Sequence, residues 1–224
     1  MYMHLHLWPV QKQKFKGNVL SLKRCVNNLL KFYALATPAE IQEGINWYKN
    51  ANLYAAKLAK RFRVESMQAA GIISVFSPQT TWEQNKRFAS LFLANPMRRV
   101  RSGIQSRKAR RILKLNANEE IYNSLSLTDR AFKTKAFFSN ITNFDKPTSV
   151  TIDRHAIAAC IQNPAYTEAM TDEQAKLTKA QYEFFELCYK HAATQLNLYP
   201  HQFQSIIWVV YRRLRELNNQ ENYF

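Results

Sequence analysis

The run Ala69-Ala70-Gly71-Ile72-Ile73-Ser74-Val75-Phe76 is apolar almost all round and is stopped by Pro78. A helix over Glu65 to Ser77 that carries it has no polar face to give to water, so other elements must surround it. It is too short to cross a bilayer. The neighbouring segments repeat apolar residues at helical spacing, and no convincing alternating strand or internal repeat occurs. The chain is therefore expected to be all-α, with about ten helices packed around this one and no substantial sheet.

The remaining helices follow from local signals. Val19 to Ala36 has mixed helical spacing and ends before Pro38. From Pro38, a good first-turn residue, Ile41, Ile45, Tyr48, Leu53, Ala56, Leu58 and Phe62 mark a long helix with a break expected near Asn50. Thr80 and Glu83 have the spacing of a capping box, as do Thr178 and Gln181. Short helices are expected over Glu119 to Leu125 and Arg130 to Ile141. Tyr182, Phe185, Tyr189, Ala192 and Leu196 share one helix face. Pro200 opens the last helix, where Phe203, Ile206, Ile207, Val210, Leu214 and Leu217 form an apolar stripe flanked by Trp208 and Tyr211.

Charge narrows the partner. Lys and Arg number 32 against 16 Asp and Glu, a net charge of +16, which calls for a polyanionic partner. Nucleic acid comes first and an anionic membrane surface second. An apolar fraction of 46% argues for a folded chain despite that charge. Cys25, Cys160 and Cys188 lie far apart in sequence, which suits neither a disulfide framework nor a local metal or iron–sulfur site. No cofactor or metal is expected, and nothing calls for an obligate protein partner. The opening Met1-Tyr2-Met3-His4-Leu5-His6 lacks signal-peptide organisation, so a cytoplasmic location is expected by elimination.

The densest charge run is Arg98 to Lys114, where Arg98, Arg99, Arg101, Arg107, Lys108, Arg110, Arg111 and Lys114 meet no acid. A solvated helix face normally mixes signs. One-sign clustering beside Gly103-Ile104-Gln105-Ser106 suits contacts to a phosphate backbone. No broad apolar face accompanies it, as a membrane-surface helix would need. Gln79 falls on the tight turn after Pro78 and reads either as a polar probe of a ligand or as a soluble turn residue.

Asp153 stands where the β-branched approach Val150-Thr151-Ile152 meets the helical run Ala156-Ile157-Ala158-Ala159-Cys160-Ile161. That is an N-cap position, where backbone N–H groups and the positive helix end favour a carboxylate. Capping alone would account for it. His155 suits a phosphate or sugar contact, or a capping or core role.

Taken in order, Ser77-Pro78-Gln79-Thr80, Ser106-Arg107-Lys108-Ala109, Lys135 and Val150-Thr151-Ile152-Asp153-Arg154-His155 resemble the helix-hairpin-helix (HhH-GPD) base-excision DNA glycosylases, over roughly Met67 to Ile161. Phage-encoded relatives of that superfamily are similar as well, in the Gln-rich start and Trp of Gln202 to Trp208. The resemblance implies a compact multi-helix glycosylase-like fold forming one domain over 1–224, with a central lobe at about 64–145 and a second lobe of 1–63 plus 146–224. It implies that Gln79 fills the gap in the duplex, that Lys108-Ala109 precedes the hairpin, and that Asp153 is the essential carboxylate. Lys135, eighteen residues before Asp153, matches the lysine of members that also cut the backbone. The family's hairpin reads L-P-G-x-G, whereas Leu127-Thr128-Asp129-Arg130-Ala131-Phe132 has no glycine, which leaves the backbone grip to the basic run.

The activity so implied is cleavage of the N-glycosidic bond of a modified or damaged base flipped out of double-stranded DNA. Asp153 would stabilise the positive charge developing on the sugar and orient a water. Lys135, if neutral, would attack the sugar carbon and add lyase activity; a cationic lysine beside Lys133 is more often a phosphate contact. Gln79, Arg98, Arg99, Arg101, Arg107, Lys108, Arg110, Arg111, Lys133, Arg154 and His155 are the expected DNA contacts. Two other readings stay open: a non-catalytic DNA-binding protein on the same scaffold, and an enzyme of phage DNA base hypermodification.

Overall fold

The computed structural model describes residues 11–125, 131–165 and 170–221. Among them run a hairpin of β1 (Lys12–Phe15) and β2 (Asn18–Ser21), then α1 (Leu22–Ala34), α2 (Pro38–Phe62), α3 (Ser66–Phe76), α4 (Trp82–Ala94) and α5 (Gly103–Ile112). They are followed by α6 (Asn118–Ser124), α7 (Phe132–Thr142), α8 (Arg154–Ile161), α9 (Lys179–Gln195) and α10 (Pro200–Glu221). The fold is all-α, with ten helices among the described residues. Leu127 to Arg130, most of the segment compared with the glycosylase hairpin, lies outside them.

The small hairpin departs from the sequence expectation. Its strands pair antiparallel, Lys12 with Ser21 and Phe15 with Asn18. Lys16 and Gly17 form the loop with φ of 47° and 81°, the positive pair that a type I′ turn requires. Because Val19 to Ser21 is held by β1, α1 starts at Leu22 rather than Val19, with the Ser21 hydroxyl accepting the Arg24 N–H as N-cap. Helix α2 runs on through Asn50 without a break. The capping box before α4 is one residue later than expected: Thr81 and Gln84 exchange side-chain and backbone bonds, while the Thr80 hydroxyl turns back to the Phe76 and Ser77 carbonyls. The box formed by Thr178 and Gln181 starts α9 as expected.

The chain forms two compact units, one of Met1–Ile45 with Ile152–Phe224 and one of Asn46–Thr151. In the first, α1, α8, α9 and α10 pack on one another and β1 lies against α9. Leu29, Phe32, Phe185, Tyr189, Phe203 and Ile206 are fully buried there. Gly44 lets α2 approach α10 closely, since a Cβ at that position would lie 2.6 Å from the Ile206 backbone. The apolar stripe of α10 ends before Leu217, which is 47% exposed.

In the second unit α3 is the central helix, in contact with α4, α5, α6 and α7. Every residue from Gln68 to Phe76 is buried, as its unbroken apolar character requires. Gly71 admits Ile112 of α5 and Ile121 of α6 to its surface. Aromatic contacts among Trp47, Tyr48, Tyr54, Trp82 and Phe137 extend this core.

Candidate functional site

Asp153 belongs to the first unit and is the N-cap of α8. The extended run before it is fixed by burial of Val150, Thr151 and Ile152, and the Ile152 N–H donates to the Tyr182 hydroxyl at 3.1 Å. Within the second unit the Thr151 hydroxyl accepts from Tyr48 at 2.8 Å and from the Asn140 amide at 3.2 Å. The chain thus delivers Asp153 with its backbone already held. Its Oδ1 accepts the Ala156 N–H at 2.8 Å, and Oδ2 faces His155 Nδ1 at 3.3 Å. Both side chains are 15% exposed. The N–H bond is a strong charge-assisted cap, and the imidazole contact is long for a hydrogen bond.

Tyr189 and Tyr211 contact the first turn of α8. The Tyr189 hydroxyl donates to the Ala156 carbonyl at 3.1 Å, and the Tyr211 ring lies 5.6 Å from the His155 ring, with its hydroxyl 3.2 Å from Gln162 Oε1. Burial is the main reason the Tyr189 hydroxyl stays protonated well above its ordinary range; Cys160 and Asp153 push the same way. In sequence Tyr182, Tyr189 and Tyr211 read only as core residues. Their ends are what the sequence hides, because a helix stripe reports which face is buried and not what its hydroxyls meet.

Arg154 points away to a partner of its own, with Nη1 3.6 Å from Asp172 Oδ1 at an exposed pair. The other residues singled out from sequence, Gln79, Arg98 to Arg111, Lys133 and Lys135, lie in the second unit. There the structure joins two motifs that are far apart in sequence. Gln79 is exposed with φ of 57°, and its carbonyl accepts from Arg101 Nη2 at 3.2 Å. Arg101 Nη1 reaches the carbonyls of Phe76 and Pro78, and Gln105 Nε2 donates to the Val75 carbonyl at 3.2 Å. The Val75 and Phe76 carbonyls are the last of α3 and have no acceptor role inside the helix, while those of Pro78 and Gln79 belong to the turn that follows. Arg101 and Gln105 therefore clasp the end of α3 and set the turn that carries Gln79.

The clasp is itself braced. The buried Ser106 hydroxyl accepts from the Val100 N–H at 2.9 Å and donates to the Val100 carbonyl at 3.0 Å. Lys108 donates to the Leu125 carbonyl at the end of α6, and Arg110 to the Pro96 carbonyl. So Arg101, Lys108 and Arg110 donate to backbone carbonyls, while Arg98, Arg99, Arg107 and Arg111, like Arg101, are exposed. Arg107 and Arg111 are one turn apart on α5 and present a single basic edge. Lys135, in the first turns of α7, lies with Nζ 4.8 Å from the centre of the Tyr122 ring, a contact an ammonium makes. Lys133 is half-buried on the same helix.

Among the described residues, no group of three or more His, Cys, Asp or Glu side chains is arranged to hold a metal ion. No helix there is long and apolar enough to cross a membrane. Residues 11–215 match a family of unknown function, DUF7178. No curated protein and no solved structure matches the chain.

Proposed function

We propose for this chain, which belongs to the family of unknown function DUF7178, the role of a DNA base glycosylase that hydrolyses the N-glycosidic bond of a modified or damaged base flipped out of duplex DNA. The observation that carries the reading is Asp153, a carboxylate only 15% exposed and fixed at the N-terminus of α8. A carboxylate already held in place needs no reorganisation when positive charge develops on a sugar, which is where electrostatic catalysis gains most. Its Oδ2, on the long contact to His155, is the oxygen suited to accept a proton from an attacking water. Gln79, exposed on a clasped turn, is the side chain suited to replace a flipped base. Arg98, Arg99, Arg107 and Arg111 supply the exposed cations for the phosphate backbone. Lys135 serves in this reading as a phosphate neighbour held on Tyr122 rather than as a nucleophile, so the enzyme is monofunctional.

The test is release of free base, or formation of abasic sites, from duplexes carrying a panel of modified bases. Wild type is expected to act on at least one of them and Asp153→Asn to lose at least 100-fold, roughly the loss on removing one electrostatic stabiliser. Equal behaviour of the two proteins across the panel sinks the proposal. A second reading draws on the same residue: both Asp153 oxygens have partners of the kind a structural cap uses. A non-catalytic DNA-binding protein would bind duplex without releasing base, and Asp153→Asn would lower its melting temperature without changing its DNA affinity.

A further inference from the structure

Helix α1 has two faces of opposite character. Leu22, Cys25, Val26, Leu29 and Phe32 are buried in the first unit. Lys23, Asn27, Lys31 and Arg24 fall within an arc of about 100° on the other side of the helix, given 100° per residue. Together with Asn163, just past the end of α8, they line an open concavity of about 430 Å³ on this unit. No acid lines it, and no ion pair engages Lys23, Arg24 or Lys31 among the described residues. Some cations elsewhere on the surface pair with acids, as Lys176, Lys179, Lys190 and Arg212 do. Three cations gathered in one hollow repel one another, and an anion there would relieve that repulsion.

We infer that this concavity on α1 is a second contact for the sugar-phosphate backbone of duplex DNA, separate from the basic edge of α5. The inference rests on DNA being the partner in the proposed function. The character of the walls selects the backbone over a free nucleotide. Small-molecule pockets are largely apolar with aromatic walls, whereas here Ile161 is the one large apolar side chain and no aromatic ring is present to stack a base. What the hollow offers is cationic and amide donors, the groups that bind phosphate and sugar oxygens without reading sequence. From Lys23 to Lys31 the helix rises about 12 Å, enough to reach more than one phosphate of a strand.

The experiment measures affinity of the full chain for a fluorescent duplex by anisotropy at a series of salt concentrations. Three proteins are compared: wild type, the triple variant Lys23→Gln/Arg24→Gln/Lys31→Gln, and a control of equal charge, Lys57→Gln/Lys60→Gln/Arg63→Gln, whose residues are exposed on and just after α2. Removing one cation from a phosphate flattens the log–log salt slope by about 0.9, so the α1 triple is expected to flatten it by about 2–3 and the control by less than about one. Equal slopes for the two triples overturn the inference, as does weakened binding of the α1 triple to single-stranded DNA but not to duplex. Base release that depends on Asp153 while the α1 triple binds like the control overturns this inference and leaves the proposed function standing. A flattened slope in a protein that releases no base from any duplex does the reverse.

Discussion

At the scale of single residues, the positions that matter most are ones whose side chains act on another residue's backbone. Gln79 occupies the left-handed region at φ of 57°, where a residue other than glycine carries a cost of about 1 kcal/mol. Gln79→Gly is therefore expected to keep or slightly raise thermal stability. If the amide fills the gap left by a flipped base, the same variant lowers base release. Melting and activity measured on one sample separate those effects, and a parallel fall in both would remove Gln79 from the site. Ser106→Ala leaves the N–H and carbonyl of Val100 buried without their hydroxyl partner and is expected to cost about 1–3 kcal/mol in a denaturant melt. Glu40 accepts from Arg213 Nε at 2.7 Å and from the Thr37 N–H. Burial pushes its carboxyl up, but these bonds outweigh burial and hold it below the ordinary range. A depressed folded value adds stability above the unfolded value, and that stability is lost as pH falls through the folded one. Glu40→Gln should therefore lower the melting temperature at pH 7, and the difference should shrink below about pH 4.3, the ordinary glutamate value.

At the scale of elements, helix starts and stops were legible where one residue type has one physical use. Asp153 before α8, Thr178 with Gln181 before α9, and Pro200 at the start of α10 each announce an N-terminus by chemistry that acts within four residues. The α4 start was displaced by one because two threonines stand in succession and only tertiary bonding decides that Thr81 caps while Thr80 faces α3. The hairpin escaped because each strand is only four residues long; Lys16-Gly17 was the available signal. The basic run was legible as charge but not as division of labour. Charge counting cannot tell that Arg101, Lys108 and Arg110 cap helices and loops while Arg107 and Arg111 face outward. A pair of variants checks that division. Arg101→Gln is expected to destabilise the fold with a modest change in salt slope, and Arg107→Gln/Arg111→Gln to leave stability intact and flatten the slope by about 1.8, at about 0.9 for each phosphate released.

At the scale of the whole molecule, long-range convergence is what the sequence withheld. Cys25, Cys160 and Cys188 are dispersed along the chain, yet all are buried in the first unit as free thiols. For Cys25 the neighbouring Cys188 thiol and then burial raise its ionisation well above the thiol range; for Cys160 burial is the main cause. Since the thiolate is the reactive form, native protein at pH 7 is expected to resist a thiol reagent such as Ellman's and to release three thiols only on unfolding. Prompt labelling of folded protein would show that this core is open. The division into two units has a further consequence. The chain leaves the first unit inside α2 and comes back between Thr151 and Ile152, and Tyr48, two residues after the first crossing, donates to Thr151 at the second. Residues 46–151 thus begin and end at one hydrogen bond. That bond ties the start of the segment to its end, which falls two residues before the aspartate on which the proposed chemistry depends.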